Sequence, residues 1–83
     1  MRLDKYLKIS RLIKRRTVAN EACDAGRVSV NGKPAKASYD VKENDVIELK
    51  LGERVITVRV KLINEYARKE EAALMYEVVD SKK

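Results

Sequence analysis

The chain has 83 residues and a formal net charge of +6, with 19 Lys or Arg against 13 Asp or Glu. This length allows one small domain and argues against an enzyme with separate binding and catalytic domains. Histidine is absent and Cys23 is the single cysteine, which excludes the commonest general base, a thiolate zinc site and an internal disulfide. We therefore expect no catalysis, no metal and no cofactor.

The sequence also argues against a membrane or secreted protein. No run approaches the roughly 18 apolar residues of a membrane span. The N-terminus carries Arg2, Asp4 and Lys5 where a signal peptide needs an apolar stretch. We expect a cytoplasmic protein with no membrane partner.

The positive charge is concentrated in the first part of the chain. Residues 1–36 hold ten Lys or Arg against three acids, whereas residues 37–83 hold nine against ten. This asymmetry indicates that one face binds a polyanion, with nucleic acid as the leading candidate. An anionic membrane surface is a poor second, because no predicted helix combines strong amphipathicity with large exposed apolar residues.

The first predicted element is a short amphipathic helix over residues 2–9. Leu3, Tyr6 and Leu7 form its apolar side, with the two leucines four residues apart. The basic residues of the segment lie off this stripe and face solvent or a ligand: Arg2, Lys5 and Lys8. Asp4 is interpreted as an acid that stabilises the first helix turn or as an intramolecular partner of an arginine.

A second helix is predicted to begin at Thr17, which can serve as its N-cap, and to end before Gly26, where a left-handed residue closes a helix. Its apolar face consists of small residues: Val18, Ala19, Ala22 and Cys23. Cys23 is therefore expected to be a buried core thiol rather than a reactive one.

Four cations stand between the two helices: Arg11, Lys14, Arg15 and Arg16. Three of them crowd the start of the second helix, where each cation typically costs about 0.3 to 1 kcal/mol because the helix end is already positive. A phosphate bound there would relieve the repulsion. Arg16→Ala is accordingly expected to weaken binding while leaving the fold intact or slightly more stable.

From Val28 the pattern changes to strand-like alternation. Asn31 and Gly32 predict a type I′ turn, and Pro34 limits the return segment to an edge strand. Asn31 is mainly a turn residue by this interpretation, although it could also donate a hydrogen bond to phosphate or a 2′-hydroxyl. The cations near this turn extend the basic surface at its margin: Arg27, Lys33 and Lys36.

The remaining segments predict a second hairpin and a short C-terminal unit. Alternating apolar residues cover 47–51 and, beyond Gly52, residues 56–62, including Leu62. A helical turn over 68–73 and a strand over 75–79 follow. The predicted fold is α+β, with two short N-terminal helices packed on a small bent antiparallel sheet. Tyr6 and Tyr39 are assigned to the core, so recognition of RNA shape and backbone is favoured over base readout.

Three segments carry a family resemblance. Residues 2–7 (RLDKYL), 16–19 (RTVA) and 26–33 (GRVSVNGK) resemble the RNA-binding domain named after ribosomal protein S-four. The resemblance implies an alpha-L RNA-binding motif, in which a two-helix face is backed by a bent sheet. It also implies that this face and the start of the second helix hold structured RNA, which is the surface that the charges select.

Two more segments resemble a smaller group within this family. Residues 71–77 (EAALMYE) are similar to the tail of the stand-alone heat shock protein fifteen group, and residues 10–17 (SRLIKRRT) most resemble the RqcP family of Gram-positive ribosome quality control factors. We expect one domain over residues 1–83, with a C-terminal extension from about residue 65 and no appended catalytic domain. Arg15 departs from the serine of many such domains, which could alter the phosphate that is gripped.

The resemblance implies a non-enzymatic, ribosome-associated factor. It implies binding to split large ribosomal subunits obstructed by peptidyl-tRNA, stabilisation of that tRNA against ribosomal RNA, and support of alanine tailing by an RqcH-type partner. Off the ribosome we expect a monomer. The expected RNA-binding residues are Arg2, Lys5, Arg11, Lys14, Arg15 and Arg16, with Arg27, Asn31 and Lys33 at the margin.

Two alternatives stay open. One is a ribosome-assembly factor that binds ribosomal RNA without tRNA. The other is a protein adaptor whose acidic partner meets the basic face.

Overall fold

The structure, a computed structural model, describes residues 1–80, and the end of the predicted domain at 81–83 lies outside the described residues. Two helices come first, α1 (Leu3–Ile9) and α2 (Arg16–Asp24). They are followed by β1 (Val28–Val30), β2 (Lys33–Pro34), β3 (Val46–Leu51), β4 (Arg54–Val60), α3 (Lys69–Ala72), a 3-10 turn (Ala73–Met75) and β5 (Tyr76–Asp80). The predicted α+β fold is confirmed.

The strands form one antiparallel sheet in the order β2-β1-β3-β4-β5. The β3–β4 hairpin is the longest ladder and aligns Ile47 with Val58 and Leu49 with Ile56, so the alternating apolar residues share one face. The β4–β5 pairing shifts register between Thr57 and Val58, which bends this side of the sheet. The predicted second hairpin and closing strand are both present.

The core lies between α1, α2 and the apolar face of the sheet. Leu3, Tyr6 and Leu7 of α1 are fully buried, as their spacing predicts. The Tyr6 hydroxyl donates a hydrogen bond to the Met75 carbonyl at 2.7 Å, which ties α1 to the C-terminal unit. Cys23 is buried too, and burial, aided by nearby carboxylates, raises the pKa of its thiol to about 11. The interpretation of a buried core thiol is confirmed.

The tight turn between β1 and β2 has the predicted geometry. Asn31 and Gly32 both have positive φ, at 54° and 86°. The Asn31 side chain also donates to the Asp45 carboxylate at 3.1 Å and accepts from the Val46 N–H at 3.0 Å. Both polar atoms of Asn31 thus brace the turn against the start of β3.

Three local predictions are corrected. Helix α2 begins at Arg16 with Arg15 as its N-cap, and not at Thr17, because Arg15 has extended backbone angles and its carbonyl already accepts the Ala19 N–H at 3.0 Å. Val18 is 45% exposed, because the buried side of α2 consists of residues 19, 22 and 23. Leu62 lies beyond the end of β4 and is exposed.

Candidate nucleic-acid interface

Helix α1 separates an apolar side from a basic side. Its buried leucines and Tyr6 face the core, whereas its basic side chains lie off that apolar side. Arg2, the N-cap, is followed at three-residue intervals by Lys5 and Lys8, which places the three on successive turns of the basic side. The Lys5 ammonium donates to the Glu65 carboxylate at 2.7 Å, whereas Lys8 is exposed.

Beneath this row lies a buried carboxylate, that of Asp4, which is 2% exposed. Arg2 donates to its two oxygens at 3.2 and 3.3 Å. From α2, the Arg16 guanidinium lies 3.4 Å from each oxygen and the Asn20 amide donates at 3.2 Å. The interpretation of Asp4 as an arginine partner is confirmed, and its carboxylate joins the starts of both helices.

The Asp4 carboxylate stays ionised because its partners outweigh its burial. Burial alone would raise the pKa of Asp4, but hydrogen bonds from Arg2, Asn20 and Arg16 lower that pKa to about 2. Arg2 and Arg16 still have side chains that are 50% and 48% exposed. Each guanidinium therefore uses one side for Asp4 and presents the other to solvent.

This contact corrects the expectation for Arg16→Ala. Arg16 was expected to stand unopposed at the start of α2, so its loss would leave the fold intact or slightly stabilise it. In the structure the Asp4 carboxylate offsets that repulsion, and removing Arg16 would leave a buried charge with fewer partners. The variant is now expected to be destabilised.

The connector between the helices has one residue buried in the core and several cations exposed to solvent. Ile13 is buried, and its N–H donates to the Leu7 carbonyl at 3.1 Å. Arg11 has a φ of 65°, a left-handed conformation that ends α1 and turns the chain. Its side chain and those of the next cations are exposed and form no ion pair within residues 1–80: Arg11, Lys14 and Arg15.

The N-terminus of α2 adds backbone donors to these cations. Arg15 provides no side-chain hydrogen bond to the first turn, and the first turn holds no acid. The N–H groups there remain available for an anion, as do the flanking cations. We call the whole region the helical basic surface, defined by Arg2, Lys5, Lys8, Arg11, Lys14, Arg15 and Arg16.

The marginal residues lie beyond this surface, near the sheet. Arg27 follows α2 and lines an open groove with Lys50 and Leu51. Lys33 lines a second groove with Tyr39 beside the β1–β2 turn. The Asn31 amide is engaged within the protein, so its contact with RNA stays a prediction that requires exchange of those hydrogen bonds.

Two other residues did not emerge from the sequence. Asn20 was not singled out, although it follows Arg16 by four residues and so shares its side of α2. Tyr66 was not singled out either; it stands in a polar run and is 87% exposed.

Among the described residues, no three or more His, Cys, Asp or Glu side chains are grouped to hold a metal, and no described helix could span a membrane.

The sequence of the chain is similar to those of several known proteins. Residues 1–47 match the model of the S4 domain. The chain is 52% identical over 83 residues to the RQC P-site tRNA stabilizing factor of Bacillus subtilis, covering 100% of this chain and 96% of that protein. It is 53% identical over 79 residues to the protein of the same name from Streptococcus pneumoniae, covering 95% and 90%.

More distant relatives share the fold. Heat shock protein 15 of Escherichia coli is 42% identical over 78 residues, which cover 93% of this chain but 59% of that protein. The trimeric structure of Vibrio cholerae heat shock protein 15 superimposes with a TM-score of 0.89 at 32% identity, covering 95% of this chain and 81% of that one.

Proposed function

This chain belongs to the S4 domain family, in the group that includes the RQC P-site tRNA stabilizing factors and heat shock protein 15, and we propose that it is a non-enzymatic RNA-binding factor of ribosome quality control. It binds split large ribosomal subunits that are obstructed by peptidyl-tRNA. It stabilises the tRNA against ribosomal RNA and so supports alanine tailing by an RqcH-type partner. It acts in the cytoplasm and is a monomer when off the ribosome.

One observation carries the proposal: the helical basic surface has seven cations, and the acid within it, Asp4, is buried below. Arg2 and Arg16 are held in place by that acid, whereas Arg11, Lys14 and Arg15 are free to contact phosphates. Such a surface fits the backbone of structured RNA, because cations and helix N–H groups bind phosphates without regard to sequence. The proposed roles in tRNA stabilisation and in ribosome quality control are supported by the names of the close relatives.

The experiment compares large ribosomal subunits with and without P-site peptidyl-tRNA. We expect tighter binding to the tRNA-bearing subunits, because a bridging factor gains contacts from both RNAs. Lys14→Ala/Arg15→Ala should lose about tenfold or more in affinity, whereas the matched pair Arg54→Ala/Lys61→Ala, exposed residues at the two ends of β4, should bind as the parent does.

Two outcomes would replace the proposal. Equal binding with and without tRNA, together with association with immature particles, would favour the assembly factor. A complex that survives nuclease treatment would favour the protein adaptor.

A further inference from the structure

Tyr66 is the most exposed large hydrophobic side chain in the part of the chain that the structure describes. It is 87% exposed, whereas Tyr6 is fully buried and Tyr39 and Tyr76 are half-buried. An aromatic ring is one of the largest apolar surfaces that a protein can bury. An exposed ring does not contribute this stabilisation to the folded chain. A partner outside the chain that covers the ring would account for its exposure.

The backbone beneath this ring is fixed. The Tyr66 N–H donates to the Asn64 side-chain oxygen at 2.9 Å, and the Ala67 N–H donates to the Asn64 carbonyl at 3.3 Å. The Arg68 N–H donates to the Glu71 carboxylate at 2.9 Å. The turn that carries the ring is therefore held by hydrogen bonds. Binding at this turn consequently costs less backbone conformational entropy.

The turn adjoins the helical basic surface. Glu65, the residue before the ring, accepts the 2.7 Å hydrogen bond from Lys5, the middle residue of the cationic row on α1. That contact also holds the pKa of Glu65 below its usual range. Two residues after the ring, Arg68 is exposed. Tyr66 thus stands at the border of the helical basic surface, between a residue that contacts Lys5 and the exposed Arg68.

We propose that Tyr66 is a stacking platform for an unpaired RNA base adjacent to the backbone that the helical basic surface binds. The proposal rests on the proposed function. Exposed aromatic rings next to cations are the usual means of holding a splayed base, and stacking tolerates any base because each has a flat apolar face. It adds a base contact to a surface that the sequence predicts to read only shape and backbone.

The first test measures the affinity of the full-length chain for large subunits that carry peptidyl-tRNA. Tyr66→Ala should weaken binding by about five- to fiftyfold, while Tyr66→Phe, which keeps the ring, stays within about twofold. The slope of affinity against salt should not change, because no phosphate contact is removed. Leu74→Ala, which truncates another exposed apolar residue, should leave affinity unchanged.

A second test reports on stacking directly. The chain contains no tryptophan, so Tyr66→Trp introduces a single tryptophan, which can be excited apart from the remaining tyrosines. Its emission, taken as the difference between complexes of Tyr66→Trp and of the tryptophan-free parent, should be strongly quenched when the RNA-bearing subunits bind. Val55→Trp, on an exposed position of β4, should show little change.

Several results would overturn the inference. Parent-like affinity of Tyr66→Ala, unquenched emission of Tyr66→Trp in the complex, or an equal loss in Leu74→Ala would each do so while the proposed function stands. Unchanged RNA affinity with loss of the RqcH-type partner would assign the ring to a protein contact instead. Absence of salt-dependent binding by the parent chain would overturn this inference and the proposed function together.

Discussion

Asp4 lies under the helical basic surface, and its carboxylate is shared by Arg2, Arg16 and Asn20 at 3.2 to 3.4 Å. A negative charge near bound RNA opposes binding by simple electrostatics. The same charge fixes two arginines whose outer sides face solvent, and a fixed guanidinium loses less entropy when it meets a phosphate. The two effects on affinity have opposite signs. The direction in which a single substitution changes the affinity therefore shows which effect is larger.

For Asp4→Asn we expect affinity for the tRNA-bearing subunit to fall by about five- to tenfold, because loss of fixed arginine positions exceeds the gain from removing one acid. Filter binding or fluorescence titration measures this. The matched control is Glu77→Gln, since Glu77 pairs with Arg59 at 3.0 Å and Lys61 at 3.4 Å on the sheet. Glu77→Gln should bind normally. Tighter binding by Asp4→Asn would mean that its charge, not its geometry, dominates.

Asp4 also predicts a pH dependence of stability. Its pKa is about 2 in the folded chain, below the ordinary value of 3.8. A carboxyl with a lowered folded pKa contributes stability that is present above the unfolded pKa and lost as pH falls through the folded one. This contribution is about 2 kcal/mol above pH 5 and disappears towards pH 2.

Urea unfolding of the parent and of Asp4→Asn between pH 6 and pH 2 checks this window. The difference between their free energies of unfolding should shrink as the pH falls. A difference that is constant over this range would show that Asp4 acts through packing rather than through its charge.

At the scale of elements, the start of α2 combines poor capping with high positive charge. Arg15 occupies the N-cap without a side-chain hydrogen bond, and no acid follows in the first turn. Serine or threonine at an N-cap would satisfy one of the free N–H groups. The chain thus forgoes local stability at the place where a phosphate would supply the missing acceptor.

Arg15→Ser should therefore raise stability and lower RNA affinity in the same molecule. We expect about 1 kcal/mol from the new cap, or an increase in Tm of about 4 to 8 °C, measured by thermal melting. Affinity should fall because one phosphate contact is lost. Arg15→Ala, which removes the charge without adding a cap, should show the same affinity loss with little gain in Tm. A lower Tm for Arg15→Ser would show that Arg15 stabilises the free protein.

The molecule as a whole places its excess charge on the helical side. The residues up to 36 carry that excess, and the later half, which is near neutral, builds most of the sheet behind them. If about four to six phosphates are neutralised, log K should fall with log salt at a slope of roughly −3 to −5. Titrations of the subunit complex at several salt concentrations give this slope. A nearly flat response would be incompatible with RNA binding through this surface.

The sequence by itself determined what depends on near neighbours. Leu3 and Leu7 are four residues apart, which is enough to orient α1, and Asn31-Gly32 is enough to close a turn, because periodicity and positive φ are local properties. The charge asymmetry is likewise a property of composition. The resemblance to the S-four RNA-binding domain, which is carried by short motifs, was confirmed by the comparisons.

Only the tertiary structure decided which charges meet. Arg16 and Asn20 reach Asp4 from another helix, and Glu65 reaches Lys5 across 60 positions of the chain. These contacts depend on how the elements pack, which no local pattern encodes. The exposure of Tyr66 was undetermined for the same reason, since burial of a single ring in a polar segment depends on what the rest of the fold brings against it.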